Sequence, residues 1–272
     1  MRVQMLGLCR FSYLGGRGFQ VAHDSIDQRR AFLYAPERLA RRWFWFENVA
    51  LPAWRAQKDD DFTLVLMTGA DLPEPYLARL RDLAGDLPQL RLALVPPMER
   101  HIDACMAAVA PHIEAGADVV GHFRHDDDDA VAVDFIRDAR RDFAKARGLW
   151  QQNRRLSCDY ARGVVLRAGP QSLTAETRII HNASAALVVH LPPDAGRCIL
   201  HFPHFKVNLS MPGVTLAAKP MFLRSLHEDN DSGAVGAGYA VEQAPGEDMA
   251  RLLKARFRID LPALAAAAAG RG

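Results

Sequence analysis

Four consecutive aspartates, Asp126 to Asp129, stand mid-chain between two apolar runs. Val119-Val120-Gly121-His122-Phe123 leads into them, and Ala130-Val131-Ala132-Val133 with Phe135 and Ile136 follows. A solvated acidic tail lies among polar residues, whereas this run sits where a buried strand would end. Two like charges about 4 Å apart repel by roughly 4 kcal/mol at an effective dielectric near 20. A fold that gathers them must protonate one, supply basic neighbours or bind a cation. Hard divalent ions such as magnesium and manganese suit all-oxygen ligands. The run reads as an Asp-x-Asp-Asp cation site with Asp126, Asp128 and Asp129 as ligands. The plainer alternative is an exposed acidic turn ending in a helix N-cap. Lys58-Asp59-Asp60-Asp61 is also acidic, but it precedes a strand, and there a solvated turn is the better reading.

The pattern along the chain supplies the frame. Val3 to Cys9 reads as a buried strand, followed by a loop through Arg10, Ser12 and the glycines 15, 16 and 18. That loop has no GxxxxGK[ST] or GxGxxG pattern, so it is no phosphate loop by sequence. A helix starts at Tyr34-Ala35-Pro36, with Leu39, Trp43, Phe46, Val49 and Ala50 at helical spacing, and Pro52 ends or kinks it. Phe62 to Met67 is a second strand, Pro75 to Ala84 a helix, Leu90 to Val95 a third strand and Met98 to Ala115 a helix. Ala117 to Phe123 is the fourth strand, and Val133 to Leu149 the helix after it. This alternation predicts a doubly wound, mainly parallel sheet. On such a sheet Arg10, Asp71 and Asp126 converge outside the carboxyl ends of strands one, two and four, where ligands collect. From Trp150 onward shorter strands take over, a smaller β-rich C-terminal portion, and Glu247 to Phe257 is a final helix. Residues 1–149 read as the α/β half, 150–260 as the second half of the same domain, and 261–272 as an alanine-rich tail, frayed from Leu264 onward.

Bulk properties exclude more than they assign. Net charge is +2, which points to neither nucleic acid nor a charged membrane surface. Cys9, Cys105, Cys158 and Cys198 are scattered without CxxC spacing, so free thiols in a reducing compartment are expected. The pair His201 and His204 lacks the partner spacing of a zinc site. No segment approaches the ~20 apolar residues of a membrane span. The expectation is a cytoplasmic protein, with peripheral contact at the inner membrane left open.

Three segments carry a resemblance. Leu51 to Gln57 with Asp61 to Leu66 is similar to the second strand and lead-in helix of GT-A nucleotide-sugar glycosyltransferases, and Asp126 to Asp129 resembles their DxD element. More closely, Gly7-Leu8-Cys9-Arg10-Phe11-Ser12-Tyr13, Phe123 to Ala130 and Asn230-Asp231-Ser232 resemble a family of bacterial rhamnosyltransferases, over roughly Met1 to Ser232. The resemblance implies a GT-A-like fold. It also implies a Mn2+ or Mg2+ ion held against a nucleoside-diphosphate sugar, and a glycan or lipid-linked acceptor. Asp126, Asp128, Asp129 and a late histidine, His227, would hold the metal, with Asp126 also facing the sugar. Arg10, Asp71 and Arg100 would join Asp126 in binding the nucleotide sugar, with Arg224 a further phosphate ligand. A surface-loop histidine is the plainer account of His227.

An inverting transfer also needs a base for the acceptor hydroxyl. The Glu-Asp pair of many inverting relatives has no clear equivalent here. Asp231 and Glu176 are the leading candidates, with Glu228, Asp229 and His204 behind them. Two other functions compete: a non-catalytic binder of sugar nucleotides or glycans, and a magnesium-dependent phosphohydrolase. The DxDxT form of the latter follows a first strand, which this mid-chain position does not match.

Overall fold

The computed structural model describes residues 1–15, 25–168, 173–227, 230 and 244–269. β1 (Val3–Arg10) is buried along almost its whole length, as a strand covered on both faces must be. Its Gly7 has no choice of side chain, since a Cβ there would meet the Phe123 ring. That ring in turn stacks on Trp54 at 5.4 Å. α1 (Ile26–Leu33) and α2 (Pro36–Trp45) follow, the latter with Pro36 in its first turn. A π-helical turn (Phe46–Ala50) leads into α3 (Leu51–Arg55), so Pro52, which lacks an N–H, shifts the hydrogen-bond ladder rather than ending the helix. The predicted stripe of Leu39, Trp43, Phe46, Val49 and Ala50 is buried throughout.

β2 (Thr63–Thr68), α4 (Tyr76–Asp86), β3 (Leu90–Leu94), α5 (His101–Val109) and β4 (Val119–Asp126) continue the alternation. α5 is shorter than its periodicity implies, because Pro111 turns the chain into a 3-10 turn over Ala110–His112. β4 runs three residues past Phe123 and ends on the first aspartate. β5 (Ala130–Val131), α6 (Phe135–Asn153), β6 (Leu156–Tyr160), β7 (Arg162–Ala168), β8 (Leu173–Ile179), β9 (Leu187–Leu191), β10 (Gly213–Leu216) and β11 (Phe222–Leu226) complete the strands.

The large sheet has the order β10-β6-β9-β4-β1-β2-β3, and β9 alone runs antiparallel to its neighbours. A second sheet, β5-β11-β7-β8, carries the β-rich C-terminal portion. The expected mainly parallel α/β frame is present. α7 (Glu247–Phe257) and α8 (Leu261–Ala269) close the described chain. The expectation of a frayed end from Leu264 is corrected over residues 264–269, which are helical. Asp260 caps α8 by accepting the Ala263 N–H, and Leu261 and Leu264 are buried in the main core beside Leu253 and Phe257. The four cysteines are buried and unpaired. Among the described residues no helix is long and apolar enough to cross a membrane.

Three histidines lie inside the large sheet. Burial lowers the pKa of His122 and His125 to about 4 and of His190 to about 3. The unfolded chain, with ordinary histidines, therefore binds more protons between pH 6.5 and about 4, and stability must fall as pH drops through that window. Asp129, whose pKa is raised, opposes this as a single group. The expected result is a melting temperature that declines steadily from pH 7 to pH 4. His190→Phe, which extends the stacking on Phe143, should flatten the decline, and an unchanged slope in that variant would contradict the assignment.

Candidate functional site

The carboxyl ends of β4 and β1 meet in register, Arg10 beside Asp126. Arg10 Nη2 donates to Asp126 Oδ1 at 3.1 Å, and Arg124 Nη2 reaches both oxygens at 3.3 and 3.0 Å. The Asp126 side chain keeps 28% of its surface exposed. The next two aspartates turn inward. Arg42, from the buried face of α2, pairs with Asp127 and donates from Nη1 to Asp128 Oδ2 at 2.9 Å. Asp128 Oδ2 also accepts from His227 Nε2 at 3.0 Å and from Asn230 Nδ2 at 2.8 Å. All three described bonds thus converge on Oδ2 and leave Oδ1 out. The His227 ring lies flat on Trp45, 4.7 Å between centroids, which fixes the imidazole plane. Asp129 points the other way and accepts the Ser225 backbone N–H of β11 at 3.0 Å.

These contacts separate the carboxyls of Asp126, Asp128 and Asp129 electrostatically. Burial alone would raise every one. At Asp126 the guanidinium groups of Arg124 and Arg10 outweigh burial and hold the pKa far below the carboxylate range. At Asp128, Arg42 and the His227 hydrogen bond outweigh burial and leave it at about 2. At Asp129 burial and the neighbouring Asp128 charge dominate, and the pKa rises well above the ordinary value. The repulsion inherent in the run is resolved by arginines and by one disfavoured charge.

A divalent cation fits part of this set. Among the described residues no group of three or more His, Cys, Asp or Glu side chains is arranged to hold a metal by itself. The expected four-ligand set does not form: Asp129 is committed to the β11 backbone, and His227 serves as a donor to Asp128. Asp126 with its exposed edge and Asp128 Oδ1 suit the mode in which one or two carboxylates share magnesium with substrate phosphates.

The other predicted residues are placed as follows. Asp71 follows β2 at the same sheet margin, but it is held by Arg30 Nε at 2.9 Å and the Tyr34 hydroxyl at 3.1 Å rather than by the aspartate cluster. Arg100 precedes α5, is 71% exposed and pairs with Asp103 at 3.7 Å, outside the network. Its neighbour His101 is the one engaged: Nε2 lies 2.9 Å from Arg10 Nη1. Burial and the Arg10 charge lower the His101 pKa to about 4, so the ring is neutral and accepts from the guanidinium. Glu176 sits on β8, paired with Arg178 at 2.8 Å. It lies three strands from β5, roughly 14 Å at the usual strand spacing. Asp231 lies outside the described residues, as do Glu228 and Asp229.

Sequence reasoning assigned no role to Arg42, Arg124, Tyr34, His101 or Asn230. A signal existed for Arg42: Arg38 and Arg42 are four apart, next to buried Leu39 and Trp43, and so fall near the inward face of α2.

A model of the family described as "Putative rhamnosyl transferase" matches residues 4–239. Among solved structures, S. aureus TarS is similar at 12% identity with a TM-score of 0.42, over 83% of this chain and 37% of that chain. S. aureus TarS 1-349 in complex with UDP-GlcNAc is similar at 11% identity with a TM-score of 0.41, over 93% of this chain and 65% of that chain. No curated protein matches the sequence. The chain thus spans well under half of that TarS chain. The family match runs from β1 past the aspartates and β11, and the chain belongs to this rhamnosyl transferase family.

Proposed function

We propose that the protein transfers a sugar, rhamnose by the family's description, from a nucleoside-diphosphate donor to a hydroxyl of a glycan or lipid-linked acceptor, with help from Mn2+ or Mg2+. The observation that carries this reading is the margin itself. An accessible edge of Asp126, and Asp128 Oδ1, which takes none of the bonds from the described residues, lie at the carboxyl ends of parallel strands, with Arg10 and Arg124 beside them. When bound, a divalent cation supplies positive charge to a departing diphosphate without needing a proton.

The chain's own groups prepare that charge environment. Arg10 and Arg124 set two guanidinium groups beside Asp126, charge-assisted donors of the kind that hold phosphate oxygens. Neutral His101 holds Arg10 in place without competing for the anion. Arg42, His227 and Asn230 fix Asp128 so that only one of its oxygens faces a ligand. Asp71, with Tyr34 and Arg30, forms a second polar station along the same margin, suited to a ribose or base. The TarS complex with UDP-GlcNAc is compatible with a nucleotide-sugar donor for this chain.

Thermal melts with UDP, GDP and dTDP, each with and without Mn2+, test the proposal. A ligand at a hundredfold excess over its Kd adds about 2.7 kcal/mol, or roughly 5–10 °C for a domain of this size. One of the three nucleotides should give such a shift with Mn2+ and much less without it. No shift with any nucleotide in either condition would contradict the function.

A further inference from the structure

We infer that His204 is the general base that takes the acceptor's proton, an assignment that rests on the glycosyl transfer proposed above. His204 opens a 3-10 turn, His204–Leu209, right after Pro203. Its Nδ1 lies 2.8 Å from the Asn182 carbonyl oxygen, so Nδ1 carries the hydrogen and donates it. That bond leaves the lone pair on Nε2, the opposite side of the ring. Among the described residues His204 makes no other hydrogen bond.

Its anchor is firm. Asn182 has a φ of 54°, a left-handed conformation that asparagine tolerates better than most residues. The Asn182 backbone is also tied to Asp159 at the end of β6, whose carboxylate takes the Thr215 hydroxyl as well. The turn that follows, Ser184–Ala186, packs against β4 and β11. The half-buried imidazole is therefore held at the carboxyl margin of β4, and the Phe205 ring lies 3.8 Å from it.

The charged groups that act on the ring are Arg124 and Asp126 of β4 and Arg224 of β11. Burial, Arg124 and Arg224 keep it neutral at physiological pH, as a base must be before it acts, while Asp126 favours the imidazolium that forms. The other candidate within the described residues, Glu176, is three strands from β5. In the step itself the acceptor O–H proton passes to Nε2 as the oxygen bonds to the anomeric carbon. The bond from that carbon to the diphosphate oxygen breaks, and its electron pair leaves with the nucleoside diphosphate. The imidazolium then returns its proton to water.

His204→Asn keeps a side-chain N–H near the position of Nδ1 and removes Nε2, so it separates the base from the anchor. The test uses the full chain with dTDP-rhamnose, UDP-GlcNAc and GDP-mannose, water as acceptor, and release of nucleoside diphosphate as the readout. The expected loss is roughly 10²–10⁴-fold in kcat, with disappearance of the acid limb of the pH profile and an unchanged nucleotide-dependent thermal shift. A variant within threefold of wild type, with the same acid limb, overturns the assignment and leaves the transferase reading standing. A wild type that binds nucleotide but turns over none of the donors also overturns it. A wild type with neither shift nor turnover overturns both.

Discussion

Arg42→Ala is expected to lower the melting temperature by roughly 10 °C. Arg42 is the cation between Asp127 and Asp128, and all three side chains are buried. Removing one partner of a buried ion pair costs about 3–5 kcal/mol, because the charge left behind has neither water nor counter-ion. For a chain of this length each kcal/mol moves the midpoint by about 2–4 °C. Arg42→Lys should recover only part of the loss, since a single ammonium cannot reproduce a fork that spans two carboxylates. Melts of the three proteins at pH 7 check this. A shift of under 3 °C for Arg42→Ala would mean that the two carboxyls are neutral or hydrated, and the description of the inner cluster would be wrong.

Asp126→Ala should do the opposite: little to stability and much to activity. Asp126 and its partners Arg10 and Arg124 are each about a quarter exposed, and pairs in contact with water contribute roughly 1 kcal/mol or less. Yet Asp126 is the aspartate of the run that offers the largest face to a ligand, and Arg10 and Arg124 are oriented on it. Removing one preorganised group that stabilises developing charge costs about 10²–10³-fold in turnover. The Mn2+-dependent part of the nucleotide shift should vanish with it. A folded variant that keeps its activity would place the chemistry elsewhere.

The frame of this protein was readable because its parallel strands are buried on both faces and announce themselves as apolar runs. β1 to β4 and α7 lie where periodicity puts them, and Arg10 and Asp126 meet as the strand order requires. What was not readable depends on partners distant in sequence. Nothing local to Asp128 says that Arg42, His227 and Asn230 will share one of its oxygens. The late histidine, expected as a metal ligand, meets Asp128 directly instead, and the Trp45 stack that fixes its ring is something only packing reveals. β8, Leu-Thr-Ala-Glu-Thr-Arg-Ile, is an edge strand whose mixed pattern hides it, and so Glu176 could not be placed. α8 is a different case: Asp260-Leu261-Pro262 is a helix-start signature that the alanine-rich composition masked.

The decisive measurement is release of nucleoside diphosphate from dTDP-rhamnose, UDP-GlcNAc and GDP-mannose, with Mn2+, by wild type and Asp126→Ala side by side. If the accessible acid at this strand end is what grips the donor through its cation, wild type consumes at least one of the three, and the variant, equally folded, falls by two orders of magnitude or more. Equal rates in the two proteins, or none in either, would contradict it.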